Sequence, residues 1–484
     1  MNLKAISRNV GYALLVSALF MFLSIIVSIL NGRDSAFAAL LISFLITAIV
    51  GAFPFIFVRK SSALTMKDGY MTIFLSWLLS FVFGMLPYAL WGGPFTVVNA
   101  WFESVSGFTT TGATILTEVE ALPKSLLFWR ASTHFIGGLG VVVFLLLVIP
   151  NSSPVRLRLT NMELSSLSRD TYGSRANKTV TIFASVYIGL MLSAFVSYAL
   201  AGMPVFDALC HAFSVGATGG FSTRTASIGA FGSDLINIIT IVFMFLGSIH
   251  YGIIFMIFAG RTLRPLKNPV LKYYVVTLLI MIVTTILSLK FQGPAMSWGR
   301  AAIDGTFQIV SYSSTTGFAT ADNAVWPMLP CFLLVIMSVQ CGCAGSTTGG
   351  IKCDRFLMLW KSIGRHINHT LHPSSIKEIR IGKTAIRDED LFPSILYISM
   401  YFLVMIVSVV VCLIVGDNSS NALTGTLSCL GNVGPALGDI GSMGNFEHLT
   451  GTTKMMFTLD MFMGRVEIYP LLAAVSLIFR PKGR

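Results

Sequence analysis

Charged residues are scarce in this sequence: Asp, Glu, Lys and Arg make up only 11% of its 484 residues. A soluble domain carries about 25% charged residues, so this deficit excludes an ordinary soluble globular protein. Hydrophobic residues make up 54% of the chain, and they recur along its whole length in apolar runs of roughly 18 residues or more. This pattern predicts a polytopic helical membrane protein.

Several features of enzymes and secreted proteins are missing as well. The sequence has no Ser/His/Asp arrangement, no paired carboxylates and no G-x-x-x-x-G-K-[ST] fingerprint. This argues against an enzyme and places any control by nucleotides in another chain. The net charge of +12 is better explained by loops on one side of a membrane than by nucleic acid. The first apolar run, at residues 10–30, is too long for a cleaved signal peptide.

Cysteine is also sparse, and the number of cysteines is odd. Small residues are common where helices meet in lipid, so we interpret the cysteines as packing residues. Cys341 and Cys343 are separated by a single residue, which makes a poor metal chelate. The seven cysteines are Cys210, Cys331, Cys341, Cys343, Cys353, Cys412 and Cys429.

One stretch recurs through the chain and organises it. Residues 106–114 read S-G-F-T-T-T-G-A-T, and weaker copies follow as A-T-G-G-F at 217–221, S-T-T-G-F-A at 314–319 and N-V-G-P-A at 432–436. Four such copies in a membrane protein predict a ring of four elements around one axis, lined by uncharged backbone. The glycines that we take as shared are Gly112, Gly219, Gly317 and Gly434.

Each copy consists of a long helix, a half-helix, a glycine loop and a second long helix. The half-helices, at about 97–107, 204–216, 300–313 and 420–431, are too short to cross about 30 Å of hydrocarbon. We therefore predict an all-α polytopic membrane protein with four helix–pore-half-helix–helix repeats around one pore, preceded by two extra transmembrane helices. The predicted parts are the two-helix extension at 1–60, pore repeat 1 at 61–155, pore repeat 2 at 156–262, pore repeat 3 with its gate loop and basic cytoplasmic segment at 263–388, and pore repeat 4 at 389–484.

Ten spanning helices are predicted, which returns both chain ends to one side of the membrane. Most of the 33 basic residues fall in loops on that side, so the positive-inside rule makes it cytoplasmic. The glycine loops then lie on the outer side. The predicted spans are 9–30, 36–58, 69–91, 126–149, 178–201, 234–259, 271–290, 328–350, 391–415 and 452–478.

Acidic residues accompany the glycine loops on the predicted outer side. Either they raise the local cation concentration in an outer vestibule, or they are ordinary solvated loop residues, and the sequence leaves both interpretations open. They are Glu103, Glu118, Glu120, Asp207, Asp234, Asp304, Asp322, Asp417, Asp439 and Glu447.

The glycine loops have the composition of a cation filter. The C-terminal end of each half-helix is the negative end of its dipole and favours a cation. Glycine adopts positive φ without steric cost, which lets carbonyl oxygens point inward, and uncharged loops suit a dehydrated monovalent ion. The alternative is that these glycines only pack helices. The predicted potassium-binding residues are Thr110, Thr111, Gly112, Ala217, Thr218, Gly219, Thr315, Thr316, Gly317, Asn432, Val433 and Gly434.

A second Gly/Ser/Thr-rich segment, at residues 342–350, reads G-C-A-G-S-T-T-G-G and interrupts the second long helix of copy three. Because such a string is a poor helix former, we predict that it unwinds below the filter and acts as a gate. The alternative is a simple kink or helix end. The predicted gate residues are Gly342, Ala344, Gly345, Ser346, Thr347, Thr348, Gly349, Gly350 and Lys352.

Arg465 lies in the middle of the last apolar stretch. An arginine at bilayer depth is a functional-site hypothesis by default, and we predict that it faces the cavity below the filter. It either sets an electrostatic barrier or caps carbonyls of the 342–350 segment, with Asp460 as a candidate partner. We interpret Arg130, His134 and His250 as satisfied packing or interface residues.

These motifs resemble the Trk/Ktr/HKT superfamily of potassium transporters, and within it the TrkH/TrkG type of bacterial potassium uptake protein. The resemblance covers essentially the whole chain. It depends on S-G-F-T-T-T-G-A-T, A-T-G-G-F-S-T and A-G-S-T-T-G-G-I-K, and on Arg465 in the last helix. The extra leading pair, 9–58, is typical of this branch.

The resemblance implies potassium uptake across a bacterial inner membrane by a homodimer with one pore in each subunit. It further implies a cytosolic ring of TrkA-like RCK subunits, which would bind NAD(H), ATP or ADP in place of this chain. K⁺ is then the transported ion. Val433 and Pro435 depart from the family pattern in copy four. The alternatives that remain are a sodium-permeable or sodium-coupled relative and a potassium-binding subunit of an ATP-driven pump.

Overall fold

A computed structural model describes residues 2–58, 65–140, 176–293, 296–374, 378–382, 384–386 and 388–479. Within these ranges, six helices are long and apolar enough to cross a membrane, and two bent helix pairs raise the number to as many as eight. The prediction of a polytopic helical membrane protein is therefore confirmed.

Helices account for almost all of the regular structure. The α-helices are Leu3–Leu30, Phe37–Phe57, Met66–Gly84, Leu86–Trp91, Val97–Phe108, Lys124–Leu139, Ala176–Leu200, Val205–Gly216, Asp234–Ser248, Tyr251–Phe258, Pro269–Gln292, Trp298–Ser313, Met328–Val339, Cys353–Leu371, Asp388–Val415, Ser419–Gly431, Gly451–Val466 and Ile468–Phe479. Short 3₁₀ helices are Ser227–Phe231, Arg264–Lys267, Asn323–Val325 and Gly438–Ile440, and two-residue strands are Gln340–Cys341, Ile351–Lys352, Arg380–Ile381 and Thr384–Ala385.

The first two helices, Leu3–Leu30 and Phe37–Phe57, form a closely packed pair. A side chain on Gly11 would come within 2.7 Å of the Gly51 carbonyl oxygen, and one on Gly51 within 3.1 Å of Leu14 Cβ. Small residues let helix backbones approach this closely in lipid. The first helix also packs against the helices Met66–Gly84 and Lys124–Leu139, so the extension lies against copy one.

The half-helices are short, as predicted, and run from 12 to 16 residues. At about 1.5 Å per residue they reach roughly 18–24 Å, less than the hydrocarbon thickness. Side chains of Thr96, Ser297 and Asn418 cap three of their N-termini. Toward their C-terminal ends nearly every residue is buried, so each half-helix ends inside the protein.

Two of the second long helices are broken where continuous spans were predicted, and a third is interrupted as predicted. In copy two the helix ends at Ser248 and restarts at Tyr251 with a bend of 107°, and in copy four it breaks at Glu467 with a bend of 109°. In copy three it ends at Val339, and residues 342–350 are non-helical as predicted. Taken together, the two helices of each bent pair are apolar enough for one span, so hydropathy averaged over the length of a span does not reveal these breaks.

Copy one also departs from the predicted spans. Its first helix is divided at Met85 into Met66–Gly84 and Leu86–Trp91. Its second helix begins at Lys124 and runs to Leu139. The remainder of the predicted span 126–149, and most of the basic loop at 156–178, lie outside the described residues.

Candidate functional site

The four glycine loops share one unusual backbone pattern. Each half-helix is followed by a residue with positive φ, and a glycine with positive φ comes two residues later. Positive φ is uncommon for residues other than glycine, so its fourfold recurrence marks one shared loop conformation. The pairs are Thr110 (φ 52°) with Gly112 (84°), Thr218 (54°) with Gly220 (81°), Thr315 (53°) with Gly317 (76°), and Asn432 (54°) with Gly434 (100°).

This pattern corrects the sequence alignment of copy two by one residue. The glycine equivalent to Gly112 is Gly220, where the sequence analysis chose Gly219. Backbone hydrogen bonds give the same register, because the residue before each glycine donates its N–H over 2.9 Å to a serine carbonyl five residues earlier. These bonds are Thr111 to Ser106, Gly219 to Ser214, Thr316 to Ser311 and Val433 to Ser428. The predicted set Ala217, Thr218, Gly219 therefore becomes Thr218, Gly219, Gly220.

The loops contact one another in cyclic order. A Cβ atom added to Gly112 would overlap the carbonyl oxygen of Gly219 in copy two. In each case the overlapping oxygen belongs to the residue before the glycine of the next copy, and copy four closes onto copy one. The other overlaps join Gly220 to Thr316, Gly317 to Val433, and Gly434 to Thr111. The ring has no room for a side chain at any of the four glycines.

In three of the four copies, a serine that was not predicted from the sequence supports the glycine loop. The serine lies six residues before each positive-φ glycine, and its hydroxyl donates to the carbonyl of the residue after that glycine. The equivalent Ser106 of copy one is buried without such a bond. The recurrence was hidden because it requires Gly220 in copy two. The bonds are Ser214 to Phe221 at 2.7 Å, Ser311 to Phe318 at 2.6 Å and Ser428 to Pro435 at 2.9 Å.

Three of the acidic residues predicted to line an outer vestibule or to lie in solvated loops are instead buried within the half-helices. Asp207 accepts a hydrogen bond from Thr223 Oγ1 at 2.7 Å, and Asp304 accepts the equivalent bond from Thr320 at 2.8 Å. Glu103 is fully buried and pairs with Arg130. All three carboxylates bind the chain just after the glycine loop of their own copy, since Glu103 likewise accepts from Thr114 Oγ1 at 3.0 Å. They therefore hold the loops in place. Those that are exposed are Glu118, Glu120, Asp234, Asp322, Asp439 and Glu447.

Arg130 and His134 join copy one to the loop of copy two. Arg130 Nε donates to Glu103 Oε1 at 2.5 Å, its Nη1 donates to the Ser222 carbonyl at 2.9 Å, and its guanidinium lies 3.6 Å from the Phe221 ring centroid. His134 Nδ1 lies 2.8 Å from the Gly107 carbonyl, while its Nε2 accepts from Phe221 N–H at 3.0 Å. The interpretation of both as satisfied interface residues is confirmed.

Residues 342–350, called the inner loop from here on, lie against the ends of the half-helices. All of them are buried except Ser346, which is half-buried. Thr347 Oγ1 lies 3.4 Å from the Gly216 carbonyl at the end of half-helix two, and Gly349 N–H donates to Thr315 Oγ1 at 2.9 Å. A side chain on Gly349 would come within 2.6 Å of Asn432 Cβ. The inner loop thus contacts the glycine-loop regions of copies two, three and four.

The inner loop binds copy two at its helix break. The break leaves the Ser248 carbonyl and the Tyr251 N–H without helical partners. Cys343 N–H donates to the former and the Gly345 carbonyl accepts from the latter, both at 2.9 Å. Buried backbone groups need partners, so the inner loop satisfies the groups that the break exposes. His250 caps the second segment by accepting from Gly252 N–H at 2.9 Å.

Arg465 reaches across the same region. Its Nη1 donates to the Thr347 carbonyl of the inner loop at 2.6 Å, and its Nη2 donates to the Gly137 carbonyl of copy one at 3.0 Å. Of the interpretations given for Arg465, the capping of an inner-loop carbonyl is confirmed by this bond to Thr347. Asp460 is not its hydrogen-bond partner in these contacts, because the Asp460 carboxylate accepts from Ser408 Oγ at 2.7 Å. Lys352 binds Thr348 at the C-terminal end of the inner loop.

Among the described residues, no cluster of three or more His, Cys, Asp or Glu side chains is arranged to hold a metal ion. The oxygens that the four loops bring together are backbone carbonyls and hydroxyls. Such neutral oxygens suit a monovalent cation that sheds its water.

Comparison with known proteins shows what this chain is similar to. It matches the TrkH family, described as cation transport proteins, over residues 36–482. It is 31% identical over 483 residues to the Trk system potassium uptake protein TrkH of Salmonella typhimurium, and 30% identical over 484 residues to TrkG of Escherichia coli, with 99% of both chains covered in each comparison. The crystal structure of the potassium transporter TrkH from Vibrio parahaemolyticus aligns with a TM-score of 0.89, at 30% identity and 99% coverage of both chains. The chain therefore belongs to the TrkH family of cation transport proteins, which are transporters and not enzymes.

Proposed function

We propose that this chain takes up potassium through one pore surrounded by its four helix–half-helix–helix copies. The observation that carries the proposal is the cyclic contact of each positive-φ glycine with a carbonyl of the next loop. Four loops related in this way present four equivalent sets of carbonyl oxygens to one axis. The proteins to which the chain is 30–31% identical over their full length are named potassium uptake proteins.

The potassium-binding residues in this proposal are three consecutive positions of each loop. Potassium would replace its water with their carbonyl oxygens, while the negative ends of the half-helix dipoles favour the cation. The serine hydroxyls and buried carboxylates that bind the loops would keep these carbonyl oxygens in position. The residues are Thr110, Thr111 and Gly112; Thr218, Gly219 and Gly220; Thr315, Thr316 and Gly317; and Asn432, Val433 and Gly434.

The inner loop is the proposed gate. Its burial and its contacts with the glycine-loop regions of copies two, three and four support this role. In the closed state the loop would block the way from the filter. Arg465 holds it through the Thr347 carbonyl and adds a positive charge to the path of a cation. Opening requires the loop to leave this position, and Lys352 at its end would move with it.

Charge asymmetry and family membership support a cellular setting for this proposal. The chain would lie in a bacterial inner membrane with both termini cytoplasmic, as a homodimer with a pore in each subunit. TrkA-like RCK subunits would bind on the cytoplasmic side and carry the NAD(H), ATP or ADP that regulates the gate. The amphipathic helix Cys353–Leu371, which follows the inner loop directly, is a suitable contact for such a partner.

Rubidium-tracer uptake into liposomes that contain the purified protein tests the proposal. We expect excess unlabelled potassium to block uptake and excess sodium to leave it unchanged. Protein-free liposomes are the control. Uptake that neither ion competes for would contradict a selective carbonyl filter.

Sodium permeation is the second candidate, and copy four favours it. Asn432 replaces the threonine found in the other three loops, and its amide donates to Thr111 Oγ1 at 3.0 Å and to the Met461 carbonyl at 2.8 Å. Pro435 follows the glycine and has no N–H to donate. If unlabelled potassium and sodium block rubidium uptake equally, sodium permeation replaces strict potassium selectivity as the proposed function.

A further inference from the structure

Glu467 has a strained backbone at the break between the last two helices. It separates the helices Gly451–Val466 and Ile468–Phe479, and its φ of 67° with ψ of 149° lies in a region that almost only glycine adopts. A residue persists there only when its surroundings hold it in place. The strained residue comes two positions after Arg465, so it sets the direction in which the segment that carries Arg465 ends.

Arg355 supplies the contact that holds Glu467. Its Nη2 donates to Glu467 Oε1 at 2.7 Å, and the two side chains are only 13% and 16% exposed. The Arg355 guanidinium also lies 3.8 Å from the ring centroid of Tyr397. A charge pair this well shielded is geometrically specific, and truncating one partner leaves the other charge buried.

The position of Arg355 connects this pair to the inner loop. Arg355 lies in the first turn of the helix Cys353–Leu371, which starts immediately after Lys352. The inner loop is therefore held at two points: in its middle, where Arg465 binds the Thr347 carbonyl, and at its end, through Arg355 and Glu467. Both points meet at the single helix break of copy four.

The negative charge of Glu467 offsets positive charge from nearby side chains. Lys352 interacts electrostatically with Arg465 and Arg355 as well as with Glu467. Two carboxylates lie near these three cations: Asp354, which is buried and acts on the charge of Arg355, and Glu467, which is the one that pairs directly with Arg355. Without the charge of Glu467, repulsion among the cations would push the end of the inner loop away from Arg465.

We propose that Arg355 and Glu467 form a latch that positions Arg465 and holds the inner loop closed. They are positioning residues, because they act on the inner loop through Arg465 and through the helix Cys353–Leu371. The inference depends on the proposed function in one respect, namely that the closed inner loop blocks ion flow. A pull on this helix would separate the pair, release the strained break and free Arg465 from Thr347.

The first experiment measures rubidium flux into liposomes for Glu467→Gln, Glu467→Gly and the exchange Arg355→Glu/Glu467→Arg. We expect both single variants to raise flux about fivefold or more, and the exchange to bring it back toward the starting value. Glu467→Gly tolerates the backbone conformation without the charge, so unchanged flux in that folded variant would show that the bend alone suffices and would overturn the proposal. The matched control is Glu378→Gln, which removes a carboxylate paired with the exposed Arg380 and should leave flux unchanged.

The second experiment asks whether the latch acts through Arg465. Flux is measured for Arg465→Ala and for Arg465→Ala combined with Glu467→Gln. The latch predicts that Glu467→Gln raises flux less in the Arg465→Ala background than it does alone, because the part of its effect that passes through Arg465 is already lost. Effects that multiply independently would contradict the positioning role.

A third measurement separates this inference from the proposed function. Hydrogen–deuterium exchange is followed in peptides that cover residues 342–350, whose N–H groups bind Ser248 and Thr315. Glu467→Gln should speed exchange there, whether or not the protein passes rubidium, and Glu378→Gln should not. Faster exchange without any flux would support the latch and overturn the gate, whereas unchanged exchange would overturn the latch.

Discussion

At the scale of single residues, one glycine decides the register of the glycine loop in copy two. Gly219 and Gly220 are adjacent in A-T-G-G-F, and nothing in the sequence distinguishes them. The structure distinguishes them by φ, because Gly220 has the positive value and faces the Thr316 carbonyl. The contribution of a residue to this site is therefore set by the neighbouring loop.

Replacing Gly220 by Ala should abolish selective uptake. The new Cβ would overlap the Thr316 carbonyl oxygen, and a left-handed conformation costs an alanine about 1–2 kcal/mol. Rubidium uptake with potassium or sodium as competitor measures the effect. Gly216→Ala is the control, because its Cβ would meet Met191 Cβ at an ordinary 3.5 Å. Retained selectivity in Gly220→Ala would return the register to Gly219.

Replacing Ser311 by Ala should lower both stability and selectivity. The buried Phe318 carbonyl loses the hydroxyl that binds it at 2.6 Å, and an unsatisfied buried group costs about 1–3 kcal/mol. Thermal unfolding and ion competition report the two effects. The matched control is Ser106→Ala in copy one, where the hydroxyl has no such bond and the change should be smaller. Equal effects at both positions would refute the bracing role.

At the scale of elements, helix breaks matter as much as helices. The helix breaks in copies two and four both lie close to the inner loop: the first binds it through Ser248 and Tyr251, and Arg465, two residues before the second, binds Thr347. Each break exposes backbone groups, and those at Ser248 and Tyr251 are satisfied by the inner loop. The helix break in copy two therefore stabilises the bound position of the inner loop, and the bound inner loop stabilises the broken helix.

Replacing Arg465 by Ala should raise rubidium flux several-fold without unfolding the protein. The variant loses the bonds to the Thr347 and Gly137 carbonyls, which connect the inner loop to copy one. The flux of Arg465→Lys should lie between that of the unmodified protein and that of Arg465→Ala, because one ammonium group does not reproduce the planar fork of the guanidinium. Flux is compared with thermal stability in the same preparations. Flux equal to that of the unmodified protein would remove Arg465 from the gate.

At the scale of the whole molecule, contacts between copies hold the ring together. The buried pair of Arg130 and Glu103 fixes half-helix one, and Arg130 also binds loop two through Ser222. The cyclic arrangement closes because copy four contacts copy one at Gly434 and Thr111. A defect at one boundary should therefore disturb the entire filter.

Replacing Glu103 by Gln should destabilise the protein by about 3–5 kcal/mol, the cost of leaving a buried charge without its partner. The reason is that Arg130 is only 3% exposed. Thermal unfolding measures the loss, and ion competition should show reduced selectivity. The control is Asp234→Asn, whose partner Arg300 lies 3.8 Å away at the surface, where such a pair contributes about 0–1 kcal/mol. Comparable losses in both variants would argue against a structural role for the pair.

The sequence by itself determined the membrane class, the short half-helices, the approximate positions of the glycine loops and the non-helical residues 342–350. These follow from hydropathy, segment length and Gly/Thr composition, all of which are local properties. It also indicated Arg465, because an arginine in an apolar stretch needs a partner.

Only the tertiary structure decided that Gly220 is the ring glycine, that Glu103, Asp207 and Asp304 are buried braces, and that long helices break in copies two and four. In each case the outcome depends on a carbonyl, hydroxyl or guanidinium that lies far away in sequence. The strained backbone of Glu467 shows this most clearly, since Arg355, 112 residues away, supplies the contact that holds it. Local patterns contain no information about such partners.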